Sequence, residues 1–443
     1  MPKVAFKTLG CRLNQAETDL IAEDLIRLGF DVVGESDSPD VVIVNTCTVT
    51  QEATRGSRKT ATRAAEVNPE ALVVVAGCYA VAEANEARGL AGVGLVATNE
   101  DKEHLAKMIA DRLGIAPATA SRPVIQLGKP SGFPGADRTR VNLKVQTGCD
   151  EWCSFCIIPT TRGDLHSYDL NELLERARRK ADEGTKELVL TGVHLGKYGW
   201  DDARPDDALV ELLECLLQID GLNRIRLSSI LCRHLTDRVV GLIASEEKLC
   251  RFLHVPLQAG HDRILEAMNR PYRIGEYIET IEMLKERIPG LGLSTDVIVG
   301  FPTETEEEFE ATMQVSQHAR FLKMHVFRYS ARPGTPSATM AGQVPEEIKK
   351  NRSKRLIALG NRMREEYHAS QVGLVREVLV ENRSDSGELA GHTDDFVMVR
   401  FDGPADAVER LVAVEIISAG VESVKGRFLA HVPWQAAQPR RTR

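Results

Sequence analysis

Three cysteines stand close together in the run Gly148-Cys-Asp-Glu-Trp-Cys-Ser-Phe-Cys-Ile, at Cys149, Cys153 and Cys156. Thiolates are the usual ligands of iron–sulfur clusters, and a C-x₃-C-x₂-C loop can hold three corners of a [4Fe–4S] cube. The fourth iron is then open to chelate the amino and carboxylate groups of S-adenosylmethionine and to pass an electron to its sulfonium. Gly148 in front of the loop permits the tight backbone it needs. Zinc is the competing chemistry, but it takes four tetrahedral ligands, usually in paired spacings, and this loop offers three. Cys11, Cys47 and Cys78 are far apart in the chain. Their spacing alone favours packing residues, which most single buried cysteines are.

The compartment bears on this choice. The first ten residues carry two lysines and no long apolar stretch, unlike a secretion signal. No segment approaches the roughly twenty apolar residues of a membrane span. The protein is therefore expected in the cytoplasm, where an odd total of nine cysteines points to ligands or buried thiols rather than a disulfide framework. A net charge of −8 gives no overall sign of polyanion binding, although a local basic patch can serve that purpose.

The elements that must position these residues follow from periodicity. Residues 3–8, 41–45 and 72–76 read as short apolar strands and 15–28 and 55–67 as helices, an alternation typical of a parallel α/β sheet. Cys11, Cys47 and Cys78 then fall at carboxyl strand ends, where such sheets place their sites. Residues 114–140, rich in Ala, Pro, Gly and Ser, read as a linker. A second alternation fills 141–370, with strands at 141–146, 187–191, 224–228, 252–256, 292–299 and 324–329 and a closing charged helix at 346–368. At least six such β/α units predict a complete or partial parallel barrel. Short strands at 376–381, 396–401, 411–417 and 423–430 predict a small antiparallel β-barrel. The expected division is thus 1–113, 141–370 and 371–434, with a basic tail at 435–443.

The cysteine loop resembles that of the radical-SAM superfamily, and the rest of the chain narrows the resemblance to the methylthiotransferases. Thr8-Leu-Gly-Cys-Arg-Leu-Asn-Gln, Asn45-Thr-Cys-Thr-Val and Ala76-Gly-Cys-Tyr-Ala are similar to that family's three amino-terminal motifs. Asp296-Val-Ile-Val-Gly-Phe-Pro-Thr-Glu-Thr resembles a late barrel strand, and Phe327-Arg-Tyr-Ser-Ala-Arg-Pro-Gly-Thr a family signature. The terminal strands look like a TRAM domain, an RNA-binding module. The resemblance implies two [4Fe–4S] clusters, one on Cys149, Cys153 and Cys156 and an auxiliary one on Cys11, Cys47 and Cys78. It also implies two uses of S-adenosylmethionine, as methyl donor and as the source of a 5′-deoxyadenosyl radical.

Thr191-Gly-Val-His-Leu-Gly-Lys-Tyr-Gly resembles the bacterial subgroup acting on N6-threonylcarbamoyladenosine, where the methylthio group enters carbon 2 of the base beside the anticodon. The implied partners are a tRNA, lysine-accepting by resemblance, and a low-potential reductant such as flavodoxin; the sulfur donor is not legible. Isopentenyladenosine in tRNA and a ribosomal-protein aspartate are the rival targets. A non-catalytic RNA-binding iron–sulfur protein and a two-cluster electron carrier are rivals from other classes.

Other residues are single candidates. His194, His254 and Gln258 are candidates for direct chemical roles, although a strand-end histidine is more often structural. Ser228, Gln258 and Gly300 are candidates for holding the cofactor, with Gly260 nearby in a family-like loop, and Gly300 and Pro302 also read as turn formers. Relatives commonly carry an acidic residue where this chain has Leu231. Arg270, Arg273, Arg328 and Arg332 are candidate phosphate contacts, and His392 and Phe396 candidate stacking positions for RNA.

Overall fold

The computed structural model describes residues 1–115, 139–202, 204 and 207–432. Most of the expected linker and the whole basic tail lie outside these residues.

The amino-terminal unit is a parallel sheet of β1 (Lys3–Thr8), β2 (Asp31–Val32), β3 (Val41–Thr46), β4 (Leu72–Gly77) and β5 (Val93–Ala97), in the order β2-β1-β3-β4-β5. The central strands read Val-Val-Ile-Val and Val-Val-Val-Ala because helices cover both faces and bury every position. The chain runs from β1 to one side and returns to the other, so the strand order reverses between β1 and β3. This is the crevice where open α/β sheets bind ligands. Cys11 precedes helix α1 (Arg12–Arg27), Cys47 follows β3 ahead of α2 (Gln51–Val67), and Cys78 opens α3 (Cys78–Ala82). The strand β5 was not anticipated, since Gly92 and Gly94 look like turn punctuation. Gly94 is there because a Cβ would sit 2.5 Å from Leu72 Cδ1.

In the middle unit, β6 (Arg140–Lys144) leads into a two-residue pairing of β7 (Gln146–Thr147) with β8 (His166–Ser167), which brackets the cysteine loop. There follow β9 (Glu187–Thr191), β10 (Arg224–Leu227), β11 (Phe252–His254), β12 (Gly292–Val299) and β13 (Lys323–Arg328). They form two parallel sheets, β6-β9-β10 and β11-β12-β13, linked through the bridges Ile225–Leu249 and Ser229–His254. Six parallel strands in chain order make a partial barrel. Leu143, Leu188, Leu190, Ile225, Leu227, Leu253, Leu293, Val297 and Val299 belong to one apolar core beneath the helices. Several alternate positions, Asn142, Arg226, His254, Ser294, Asp296 and His325, are polar and occupy the opposite face.

The terminal unit is a closed barrel of β14 (Val375–Arg383), β15 (Leu389–His392), β16 (Met398–Asp402), β17 (Leu411–Ala419) and β18 (Val424–His431), ordered β14-β15-β16-β18-β17. The expected wholly antiparallel arrangement is corrected at one seam, because β16 and β18 pair in parallel. Alternating directions cannot close a ring of five strands, so one parallel pair is required. The sequence hid β15 behind Gly391, whose Cβ would lie 2.1 Å from the Leu379 carbonyl oxygen.

This barrel meets the middle unit through the loop after β15. Arg224 donates to the carbonyl of His392, and Arg226 to those of Thr393 and Asp394. Phe396, in a left-handed conformation, lies 4.8 Å from the ring of Phe252 and is stacked at 4.4 Å on His392. The guanidiniums of Arg226, Arg140 and Arg12 stand 4.8, 5.0 and 5.6 Å from its ring centre. His392 and Phe396, expected as an RNA stacking surface, are half-buried in this junction, where the Phe396 ring packs on Phe252, His392 and the three guanidiniums.

Candidate active site between two cysteine sets

The amino-terminal cysteines are gathered by polar side chains at the strand ends. Asn14 Nδ2 donates to the carbonyls of Leu9 and Thr46 at 2.7 and 2.9 Å, tying the loop before Cys11 to the residue before Cys47. Asn45 Nδ2 donates back to the Asn14 carbonyl. Cys47 is held at both ends by one hydroxyl, its amide donating to Ser57 Oγ and its carbonyl accepting from it. A Cβ on Gly10 would meet Cys47 Sγ at 2.9 Å, and one on Gly77 the Thr46 carbonyl oxygen at 2.7 Å. Both glycines have positive φ, so both the space and the backbone exclude side chains there. Burial raises the Cys47 thiol above its ordinary pKa, and the nearby Cys78 and Cys11 raise it further.

The second set lies in the loop between β7 and the short helix Ile158–Arg162. All three cysteines are free. Burial pushes Cys149 up to about 11 and Cys156 to about 12, with the neighbouring thiols adding to both. Gly148 has φ +72, and a Cβ there would overlap the Asp164 carbonyl at 1.6 Å. Burial disfavours a free thiolate at these positions, whereas a bound metal centre would take the sulfurs as thiolates. The three-cysteine loop fits an iron–sulfur cluster in donor type and number.

Arg162 joins the two sets. Its Nη1 donates to Glu17 Oε1 at 2.8 Å and its Nη2 to Asn14 Oδ1 at 2.6 Å, so the helix after Cys156 is bolted onto α1 after Cys11. Lys102 and Lys144 complete the cage around Glu17. Burial alone would raise the Glu17 carboxyl, but Lys102, Arg162 and Lys144 hold it well below the usual range. Asn99 Nδ2 donates to the Thr161 carbonyl at 2.7 Å and approaches Cys78 Sγ at 3.6 Å.

Two cavities open beside the loop. One, of about 180 Å³, is lined by all three of Cys149, Cys153 and Cys156 together with His194, Ser229 and Gln258. The other, of about 160 Å³, runs from Cys156 and Phe155 to Val49 and Thr50, just past Cys47, and to Phe327 and Arg328. Gln258 and Asp296 line both. Gln258 is held at φ +60, a conformation unusual for its type and one that clusters at functional sites. Leu231 lines the first cavity, and the carboxylates present there are Glu151 and Asp296.

The remaining candidates are placed as follows. His194 Nε2 lies 3.6 Å from Glu151 Oε1, and Lys197 Nζ reaches Asp150 and Glu151 at 2.6 and 2.9 Å. These contacts, that of His194 first, hold the Glu151 carboxyl down at about 2. The segment carrying His194 thus clamps the cysteine loop. Ser228 keeps a buried hydroxyl without a partner, while its neighbour Ser229 lines the cavity. Gly300 is taken up by a turn: φ is +74, its amide donates to Glu304, and a Cβ would strike Lys349 Cγ at 2.3 Å.

Two arginines expected at phosphates are otherwise engaged. Arg332 is buried, donating to Thr48 on the Cys47 loop and to Thr54 in α2. Arg270 is partly buried with Nη1 at 3.2 Å from Cys153 Sγ. Both guanidiniums are thus held next to the cysteine loops. Arg328 remains on the surface with Glu346, and Arg273 caps the helix Ile274–Arg287.

Comparison with known proteins identifies the family. Residues 3–97 match the family described as uncharacterized protein family UPF0004, 143–315 the radical SAM superfamily, and 369–429 the TRAM domain. The chain is 37% identical over 440 residues to threonylcarbamoyladenosine tRNA methylthiotransferase MtaB of Bacillus subtilis, covering 97% of both proteins. It is 40% identical to the protein of that name from Aquifex aeolicus, covering 86% of this chain and 94% of that one. The chain belongs to the radical-SAM methylthiotransferases.

The same methylthiotransferase is 34% identical to tRNA-2-methylthio-N(6)-dimethylallyladenosine synthase of Aquifex aeolicus, covering 96% and 98% of the two chains. Its fold is shared with the radical S-adenosylmethionine methyltransferase TsrM from Kitasatospora setae, with TM-score 0.57 and 16% identity over 76% of this chain and 77% of that one. Membership makes the protein an enzyme that transfers sulfur-containing groups and brings S-adenosylmethionine and a [4Fe–4S] cluster as cofactors. Among the described residues no helix is long and apolar enough to cross a membrane. Sequence reasoning missed Arg162, Glu17, Asn99 and Ser57. Only Asn14 carried a signal, as part of the quoted amino-terminal motif.

Proposed function

We propose that the methylthiotransferase acts on tRNA, inserting a methylthio group at carbon 2 of N6-threonylcarbamoyladenosine next to the anticodon. In this reading Cys149, Cys153 and Cys156 hold the cluster that engages S-adenosylmethionine, and Cys11, Cys47 and Cys78 hold a second, auxiliary cluster. The division 1–113, 141–370 and 371–434, a lysine-accepting tRNA, a flavodoxin-like reductant and a cytoplasmic setting belong to the same proposal. The observation that supports it is the cavity running from Cys156 to Val49 and Thr50 beside Cys47, which offers a base space between the two sets.

When bound, the clusters and S-adenosylmethionine would supply the radical that removes the hydrogen from carbon 2 and the sulfur that replaces it. The chain's own residues do the rest. Phe327 and Val49, both exposed, give the cavity apolar walls against which a base can lie. Arg270 places a donor on Cys153, and Lys197 and His194 fix the acids of the loop, so the thiolates keep one geometry. The Arg162–Glu17 and Arg332–Thr48 contacts hold the two cysteine sets at a fixed separation. The substrate assignment rests on the segment around His194 and on the higher identities to the threonylcarbamoyladenosine enzymes.

The test is anaerobic turnover of cluster-loaded enzyme with dithionite, S-adenosylmethionine and tRNA carrying threonylcarbamoyladenosine, read by mass spectrometry of the nucleosides. A methylthio adduct accompanied by 5′-deoxyadenosine is expected. Cys153→Ala should abolish deoxyadenosine, whereas Cys47→Ala should keep it and lose the adduct. Deoxyadenosine without the adduct redirects the chemistry to isopentenyladenosine or a ribosomal-protein aspartate. Neither product from a loaded sample would overturn this reading.

A further inference from the structure

Three adjacent strands of the partial barrel each present one metal-ligating side chain to a common point. His254 ends β11, Asp296 lies on β12 and His325 on β13. One ligand atom from each lies within 4.8 Å of the others. His254 Nε2 stands 3.3 Å from Asp296 Oδ2, longer than the roughly 2.7–2.9 Å of a charge-assisted hydrogen bond. It is close to the spacing of two ligands sharing one ion at bond lengths of about 2.0–2.2 Å.

The other nitrogen of His254, Nδ1, is 2.8 Å from the buried hydroxyl of Ser294. That contact is the outer partner that metal-bound histidines ordinarily have, since it fixes the ring and leaves Nε2 to the site. All three groups are partly open, so an ion can enter and coordination positions remain for a further oxygen ligand. Two histidines and one carboxylate with open positions are a known donor set for divalent first-row ions.

We propose that His254, Asp296 and His325 form a divalent metal site, separate from both cysteine sets. It opens through Asp296 onto the cavities lined by Cys156 and Gln258. The site needs neither the tRNA reading nor the auxiliary cluster to exist.

The experiment loads the full-length, cluster-containing enzyme anaerobically with Zn²⁺, removes excess metal by gel filtration, and reads zinc content and zinc-edge X-ray absorption. Wild type should retain one zinc per chain more than His325→Gln and more than Asp296→Asn. That zinc should show nitrogen and oxygen neighbours at about 2.0–2.1 Å. Retained cluster absorption and an unchanged unfolding midpoint would show that a variant is folded; if one variant fails that check, the other carries the comparison. Equal zinc retention in wild type and a folded variant, or zinc with sulfur neighbours alone at about 2.3 Å, would overturn the site.

Discussion

Arg332 Nη2 donates to Thr48 Oγ1 at 2.6 Å, fastening the segment after the last barrel strand to the loop that carries Cys47. The same nitrogen donates to Thr54, and the guanidinium is almost fully buried. One side chain thus spans the two halves of the site.

Removing that clasp should separate radical formation from sulfur insertion. Arg332→Met leaves the Cys149 loop intact and frees the Cys47 loop from β13's end. We expect 5′-deoxyadenosine formation to remain within about threefold of wild type while methylthiolated product falls by tenfold or more, since small misplacements of reacting groups cost about that much. Equal loss of both products would show that Arg332 supports the whole fold instead.

Glu17 is the buried hub between α1 and the helix after Cys156. Glu17→Gln removes the negative charge that Lys102, Lys144 and Arg162 share and leaves buried cations unpaired. Breaking a buried pair in this way costs about 3–5 kcal/mol. Urea unfolding should show the loss at pH 7, and an unchanged midpoint would mean that the three cations find other partners.

Phe396 should prove structural. Phe396→Ala removes a ring packed on Phe252, His392 and Arg226, at a cost of about 3 kcal/mol. Thermal unfolding should report this, while tRNA affinity at a temperature where the variant is folded stays within a factor of two. A large affinity loss with unchanged stability would restore the RNA-stacking role.

His234, buried beside Trp200 and His194, is depressed to about 3, first by burial and then by the His194 and Arg233 charges. A histidine whose folded pKa lies below its unfolded value of about 6.5 adds stability above that value and loses it as pH falls. Wild type should lose stability between pH 7 and 5, and His234→Gln should lose measurably less. Parallel curves for the two proteins would assign the acid sensitivity elsewhere.

The sequence by itself determined the chemistry and most of the elements. The cysteine loop announced its ligands through local spacing, and strands such as 41–45 and 72–76 were legible because nearly unbroken apolar runs have one cheap solution, burial on both faces. The parallel seam between β16 and β18, the hidden strands β5 and β15, and the inward turn of Phe396 depended on neighbours distant in the chain. The same holds for Arg270 and Arg332, which read as surface charges until the fold brought Cys153 and Thr48 to them. Residue type and short-range pattern encode what a segment can do; which partner satisfies a buried guanidinium is decided only when strands over two hundred residues apart meet.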